Sequence, residues 1–147
     1  MEEPDSGLIP KLHKRGLAVF ADEIELALRH AGFGTERRAC VGMRANSSRR
    51  YFVDLRASLG GRILLVSPKW QEARGSTEAK VPWEAMCMDH IVRTGDNVSG
   101  YIVLGGSGWT LDDYFVDGGL SRDLRLEPRT TILRERDFLA RAAAGRL

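Results

Sequence analysis

Residues 50–71 read RYFVDLRASLGGRILLVSPKWQ. Gly60-Gly61 interrupts two runs rich in apolar, branched and aromatic residues, and a Gly-Gly pair in that setting is a two-residue hairpin turn. The pattern predicts strands over Arg50–Leu59 and Arg62–Trp70. Ile63-Leu64-Leu65-Val66 is continuously apolar, as in a strand covered on both faces. A turn at 60–61 pairs residues whose numbers sum to about 121, which sets Asp54 opposite Ser67. Side chains alternate along a strand, so Ser67, Lys69 and Gln71 share one face while Val66, Pro68 and Trp70 share the other.

Upstream, Leu17, Phe20, Ile24, Leu28 and Ala31 recur at spacings of three and four, predicting a helix over Lys11–Ala31 that Gly32 and Gly34 end. A first strand is expected over Glu36–Met43, then a loop over Arg44–Ser48. Downstream, QEARGSTEAK reads as a polar loop. A helix is expected near Pro82, in a first-turn position, carrying Trp83, Met86, Cys87, His90 and Ile91. Tyr101–Leu104 reads as a fourth strand, Gly105–Gly108 as a turn, and Thr110 as the cap of a short helix reaching Tyr114 or Phe115. A fifth strand at Thr130–Leu133 and a last helix at Arg134–Ala144 complete the pattern. The order is α-β-β-β-α-β, then α, β and α, which implies an α/β fold with a mixed sheet flanked by helices.

The chain has 147 residues, 43% apolar and 29% charged, which fits one domain over 11–147 behind a flexible tail at 1–10. No apolar run nears the ~20 residues of a membrane span. The start MEEPDSGLIP lacks the basic-then-apolar pattern of a signal peptide. Cys40 and Cys87 form no CxxC and have no histidine at ligand spacing, so a cytoplasmic location is expected, without a disulfide framework or zinc. The net charge of +2 is too mild to argue for nucleic acid by itself. The cations are 18 Arg against 4 Lys, and two of the lysines, Lys69 and Lys80, fall in or just after the segment with the most chemistry. An ammonium and a guanidinium do different work.

Asp54 inside YFVDL is a carboxylate in an apolar strand, where it needs a cation, a metal or a solvated face. Arg49, Arg50, Arg56 and Arg62 are its candidate ion-pair partners. Alternatively, Asp54, Ser67 and Lys69 converge at one end of the sheet. A carboxylate, an ammonium and a spare carbonyl or hydroxyl suit Mg²⁺ and an attacking water. Arg74 and Lys80 flank Ser76 and Thr77 in the loop that follows, a composition that serves either phosphate contact or a helix cap. Trp70 and Trp83 read as packing residues and Trp109 as exposed. The glycines at 105–108 lack the following lysine of a phosphate-binding loop, and no GxSxG is present.

The opening helix with its acids, YFVDL, ILLVSPKWQ and YIVLGG together resemble the PD-(D/E)XK nuclease superfamily, over about residues 11–106. The resemblance implies a restriction-endonuclease-like core and metal-dependent hydrolysis of DNA phosphodiesters. It makes Asp54 the metal-binding aspartate, Lys69 the catalytic lysine and Gln71 an accessory group. It gives the Pro68 backbone carbonyl to the metal, with Glu23, or its rival Asp22, as the helix acid. Mg²⁺ is the implied cofactor, with Mn²⁺ as a substitute. DNA is the implied partner, contacted through Ser67, Arg74 and Lys80, and a homodimer or a larger nucleic-acid-processing complex the implied assembly. Ser67 departs from the pattern, because the family places a second acid there. Glu23, Asp22, Glu78 or Glu84 would have to supply that charge. Otherwise the chain is a catalytically weak or inactive module of the same fold that binds DNA or a protein partner.

Overall fold

The computed structural model describes residues 15–44 and 48–147. The tail expected at 1–10, the helix start expected at Lys11 and the centre of the loop expected over Arg44–Ser48 lie outside the described residues. The elements are α1 (Leu17–His30), β1 (Gly34–Met43), β2 (Arg50–Leu59), β3 (Arg62–Trp70), α2 (Thr77–Thr94), β4 (Val98–Gly105), α3 (Asp112–Val116), α4 (Gly119–Leu124), β5 (Thr130–Arg134) and α5 (Glu135–Ala143). The five strands form one mixed sheet in the order β1-β2-β3-β4-β5. The first three pair antiparallel, and β3-β4 and β4-β5 pair parallel.

Both faces of the sheet are covered. Phe20, Ile24 and Leu28 of α1 pack with Phe138 and Ala142 of α5 over Leu64, Val66, Val103 and Leu133. Val81, Ala85, Met88 and Val92 of α2 cover the other face, over Leu65, Ile102 and Ile132. The alternation of Leu64 and Leu65 between these two cores is the reason the apolar run of β3 is unbroken. Gly60 and Gly61 both have positive φ, +57° and +85°, as a twist-matched two-residue turn requires.

The β2–β3 ladder runs from Leu59↔Arg62 to Leu55↔Val66 and stops there. Beyond it, β2 continues against β1, and β3 continues against β4 as far as Trp70↔Gly105. The sheet therefore forks at Asp54. Ile63 N–H and Gln71 N–H both bond toward β4, to Asn97 O at 2.9 Å and Gly105 O at 3.0 Å. In an unbroken strand the even-numbered residues then turn their backbone polar groups toward β2. Pro68 is one of these. Its missing N–H falls where the ladder has already ended, which lets a proline sit in a central strand.

The fork coincides with a break in side-chain alternation. Val53 belongs to the core under α2 and Leu55 to the core under α1, although residues two apart in a regular strand share a face. On β1 the pairs Arg37↔Leu55 and Ala39↔Val53 bracket Arg38, which has φ +49° and stands across from Asp54.

Three expectations are corrected. Helix α2 starts at Thr77, so Pro82 lies inside it rather than in its first turn, and part of the expected polar loop is helical. The proline forfeits one intrahelical bond, to the Glu78 carbonyl, and the burial of Val81, Ala85 and Met88 holds the helix regardless. Helix α4 was not expected. It occupies a single turn and a half between Gly118 and Arg125, both in left-handed conformation, and is too short to show a period. The tryptophan readings also change. Trp70 does pack, 5.4 Å from Phe20, but Trp83 is half exposed. Trp109 is partly buried, with its indole N–H donating to Gly105 O at 2.8 Å.

Candidate active site

The fork assembles the polar residues of β2 and β3 with one side of α2. Ser67, expected to contact DNA, is fully buried and out of reach of it; its Oγ donates instead to Asp54 Oδ2 at 3.1 Å. This contact continues the β2–β3 register by one step beyond its last backbone pair. Asp54 itself is exposed and makes no salt bridge among the described residues. Arg56 turns instead to Glu36 at 3.6 Å, Arg62 to the Leu147 carbonyl, and Arg50 to the Phe52 ring. The Asp54 carboxylate thus keeps most of its acceptor capacity facing solvent.

Two residues further along β3, Lys69 donates to Glu84 Oε1 at 3.2 Å. The other Glu84 oxygen accepts the Tyr51 hydroxyl. Burial, reinforced by the Glu84 carboxylate and then by Cys87 and Asp54, drives the Tyr51 phenol far above its ordinary pKa. Tyr51 is therefore a fixed donor, and it holds Glu84 in place. Lys80 lies one helical turn before Glu84 on α2, exposed and on the same side of the helix. Arg74 is exposed in the segment between β3 and α2.

Two expected members take other places. Glu23 belongs to α1, which covers the opposite face of the sheet from Ser67 and Lys69. Its carboxylate accepts from Arg15, which also holds Glu135 at 2.8 Å and lies over the Trp70 ring at 4.9 Å. The rival Asp22 accepts from Arg37 at 3.1 Å. The fork receives neither acid. Its second carboxylate is Glu84, one of the four acids weighed for that role.

Gln71 is buried, and its carboxamide is committed to the fold. Its Nε2 donates to Glu78 Oε1 at 3.1 Å and to Gly108 O at 2.8 Å, while its Oε1 accepts Glu78 N–H at 3.1 Å. Burial alone would raise the Glu78 pKa. Donation from the Thr110 backbone and hydroxyl, Leu111 N–H and Gln71 outweighs it, so the carboxyl titrates below its usual range. Glu78 thereby satisfies open N–H groups at the entry to α3, a position where negative charge is favourable. The chain can turn back at 105–108 because Gly106, φ +94°, and Gly108 lie against the backbone of Gln71 and Ala73, leaving no room for a Cβ.

The donors at the fork suit a hard cation in type, if not in number. Magnesium is commonly bound by one or two carboxylates with waters and substrate phosphate completing its shell. Asp54, Glu84 and the β2-facing Pro68 carbonyl are such oxygen donors. Among the described residues there is no cluster of three or more His, Cys, Asp and Glu that could hold a metal. Sequence reasoning left Glu84 as one acid among several, and it did not single out Tyr51. A tyrosine heading the strand that carries Asp54 was the available signal.

No protein-family model matches the chain. No curated protein matches it either. Among solved structures, the fold is similar to the crystal structure of AF1548, a protein of unknown function, with a TM-score of 0.50 and 14% identity. The match covers 88% of this chain and 67% of that one. No helix among the described residues is long and apolar enough to cross a membrane.

Proposed function

We propose that the chain is a metal-dependent nuclease of the PD-(D/E)XK kind on a restriction-endonuclease-like core, hydrolysing DNA phosphodiester bonds at the fork between β2 and β3. The observation that carries this reading is the convergence of Asp54, Ser67, Lys69 and Glu84 where the β2–β3 ladder ends.

Asp54, the Pro68 carbonyl and Glu84 would hold Mg²⁺, or Mn²⁺ in its place. Bound there, the ion supplies Lewis-acid polarisation of a phosphate oxygen and acidifies a water. Ser67 fixes the Asp54 carboxylate from a fully buried position. Tyr51 does the same for Glu84, and Glu84 aims the Lys69 ammonium. Lys69 orients the attacking water and stabilises charge that builds on the phosphoryl oxygens. Water oxygen joins phosphorus as one P–O ester bond breaks, and the proton the water gives up ends on the departing oxygen, which leaves as a hydroxyl. Lys80, exposed one helical turn before Glu84, and Arg74, exposed in the segment that follows β3, meet the backbone phosphates.

A second reading has its own support. Lys69 is already ion-paired, and Ser67 stands where a second strand acid would sit. On that reading the fold binds DNA with little catalysis. Incubation with supercoiled, linear, single-stranded and branched DNA, with Mg²⁺, Mn²⁺ or EDTA, tests the proposal. Cutting that needs metal and is lost in Asp54→Ala and Lys69→Ala supports the nuclease. DNA retardation without cutting under any metal supports the binding module.

A further inference from the structure

We propose that Phe52, Arg38 and Arg50 form a platform that binds a single-stranded nucleic-acid segment at the open edge of the sheet beside Asp54. The inference deepens the nuclease reading and rests on it for the class of ligand.

Four observations carry it. Phe52 is 43% exposed, although its strand neighbours Tyr51 and Val53 are buried. Two guanidiniums lie over its ring, Arg38 with Cζ 5.8 Å and Arg50 with Cζ 5.7 Å from the centroid. Neither arginine has a carboxylate partner among the described residues, whereas Arg15, Arg37, Arg93 and Arg134 each hold two. Arg38 also holds a left-handed backbone, φ +49°, that glycine or asparagine would adopt more cheaply. Strain kept at a non-glycine residue beside a polar site points to a use for its side chain.

The location fits that use. β1 is an edge strand, paired with β2 alone. Arg38 stands across from Asp54, and Phe52 precedes Asp54 by two residues, about 7 Å along the strand, with its ring on the sheet face opposite Tyr51 and Val53. An exposed ring with guanidiniums that hold no carboxylate among the described residues matches the two parts of an unpaired nucleotide. The base stacks on the guanidinium planes that the ring supports, and the phosphate meets the cations. A duplex keeps its base faces stacked inside, so it would use the arginines and leave the ring idle.

The test is fluorescence anisotropy in EDTA, with a labelled oligothymidylate and a labelled duplex as probes, over a range of salt. EDTA separates the outcome from catalysis. The single strand is expected to bind more tightly than the duplex. Phe52→Ala is expected to weaken single-strand binding about tenfold. Arg50→Gln with Arg38→Asn, which the left-handed backbone accepts, is expected to weaken it and to lower the salt slope by about 1.4. Arg146→Gln, an exposed cation in the C-terminal segment, serves as the charge control and leaves binding unchanged. Should Phe52→Ala unfold, Phe52→Leu removes the ring and keeps apolar volume. Equal affinity in the ring and arginine variants, duplex preference, or no binding would overturn the platform. Metal-dependent cutting that persists beside any of those results would leave the nuclease reading standing without it.

Discussion

Lys69 Nζ stands 3.2 Å from Glu84 Oε1, with each side chain only 16% exposed. The pair ties the end of β3 to α2 at the point where β2 has parted from β3, and Tyr51 completes it from β2. The only lysine in β3 and the half-buried acid of α2 thus hold the three walls of the fork together.

Glu84→Gln is expected to abolish the proposed cutting by at least a hundredfold while leaving DNA retardation intact. The same change leaves Lys69 half-buried without its partner and should lower stability by about 1–3 kcal/mol. Cleavage assays and urea denaturation check the two effects separately. Full activity in Glu84→Gln would remove Glu84 from the site.

Tyr51→Phe deletes one hydroxyl from a buried position without changing volume. It is expected to cost about 1–2 kcal/mol, because a charge-assisted hydrogen bond to Glu84 disappears. Urea unfolding reads the loss, and cutting should fall with it as Glu84 loses its brace. Wild-type stability would show that the Tyr51–Glu84 contact contributes nothing.

Much of this geometry was legible in the row of letters. Gly60-Gly61 set the turn, the turn set the register, and the register placed Asp54 opposite Ser67. Glu84 was less legible. Its position depends on where α2 crosses the sheet, and a polar stretch hid the true start of that helix at Thr77. The assignment of Glu23 failed for a related reason. Periodicity shows which face of α1 is apolar but not which side of the sheet receives it. Gln71 was correctly placed in line with Lys69, but a strand face does not reveal that Glu78 and Gly108 claim the carboxamide.

Glu78 sets an acid limit on the fold. Its folded-state pKa is depressed below the ordinary value of 4.5. The stability it contributes is therefore fully present above that value and is lost as the pH falls through the folded pKa. Wild type should exceed Glu78→Gln by about 2 kcal/mol at neutral pH, since the buried carboxylate receives several donors. Urea midpoints measured at pH 7 and near pH 3 should show the gap narrowing in acid. A gap independent of pH would assign the effect to shape rather than charge.

Gly106→Ala is expected to destabilise by about 2 kcal/mol or more. The left-handed φ of +94° strains any side chain, and the new Cβ would overlap the Gln71 carbonyl. Gly145→Ala, also at positive φ (+69°) but with nothing near its Cβ, should cost less. Equal losses in thermal unfolding would show that backbone strain alone, without the close approach to Gln71, decides both.

Asp54 and Lys69 are proposed to act on a phosphodiester with a divalent metal. The most direct measurement of this role is cleavage of plasmid, linear, single-stranded and branched DNA by wild type, Asp54→Ala and Lys69→Ala, each with Mg²⁺ and with EDTA. Wild type is expected to cut with Mg²⁺ and not with EDTA, and neither folded variant is expected to cut. Cutting that survives both substitutions, or a wild type that cuts no DNA under Mg²⁺ or Mn²⁺, would contradict that role.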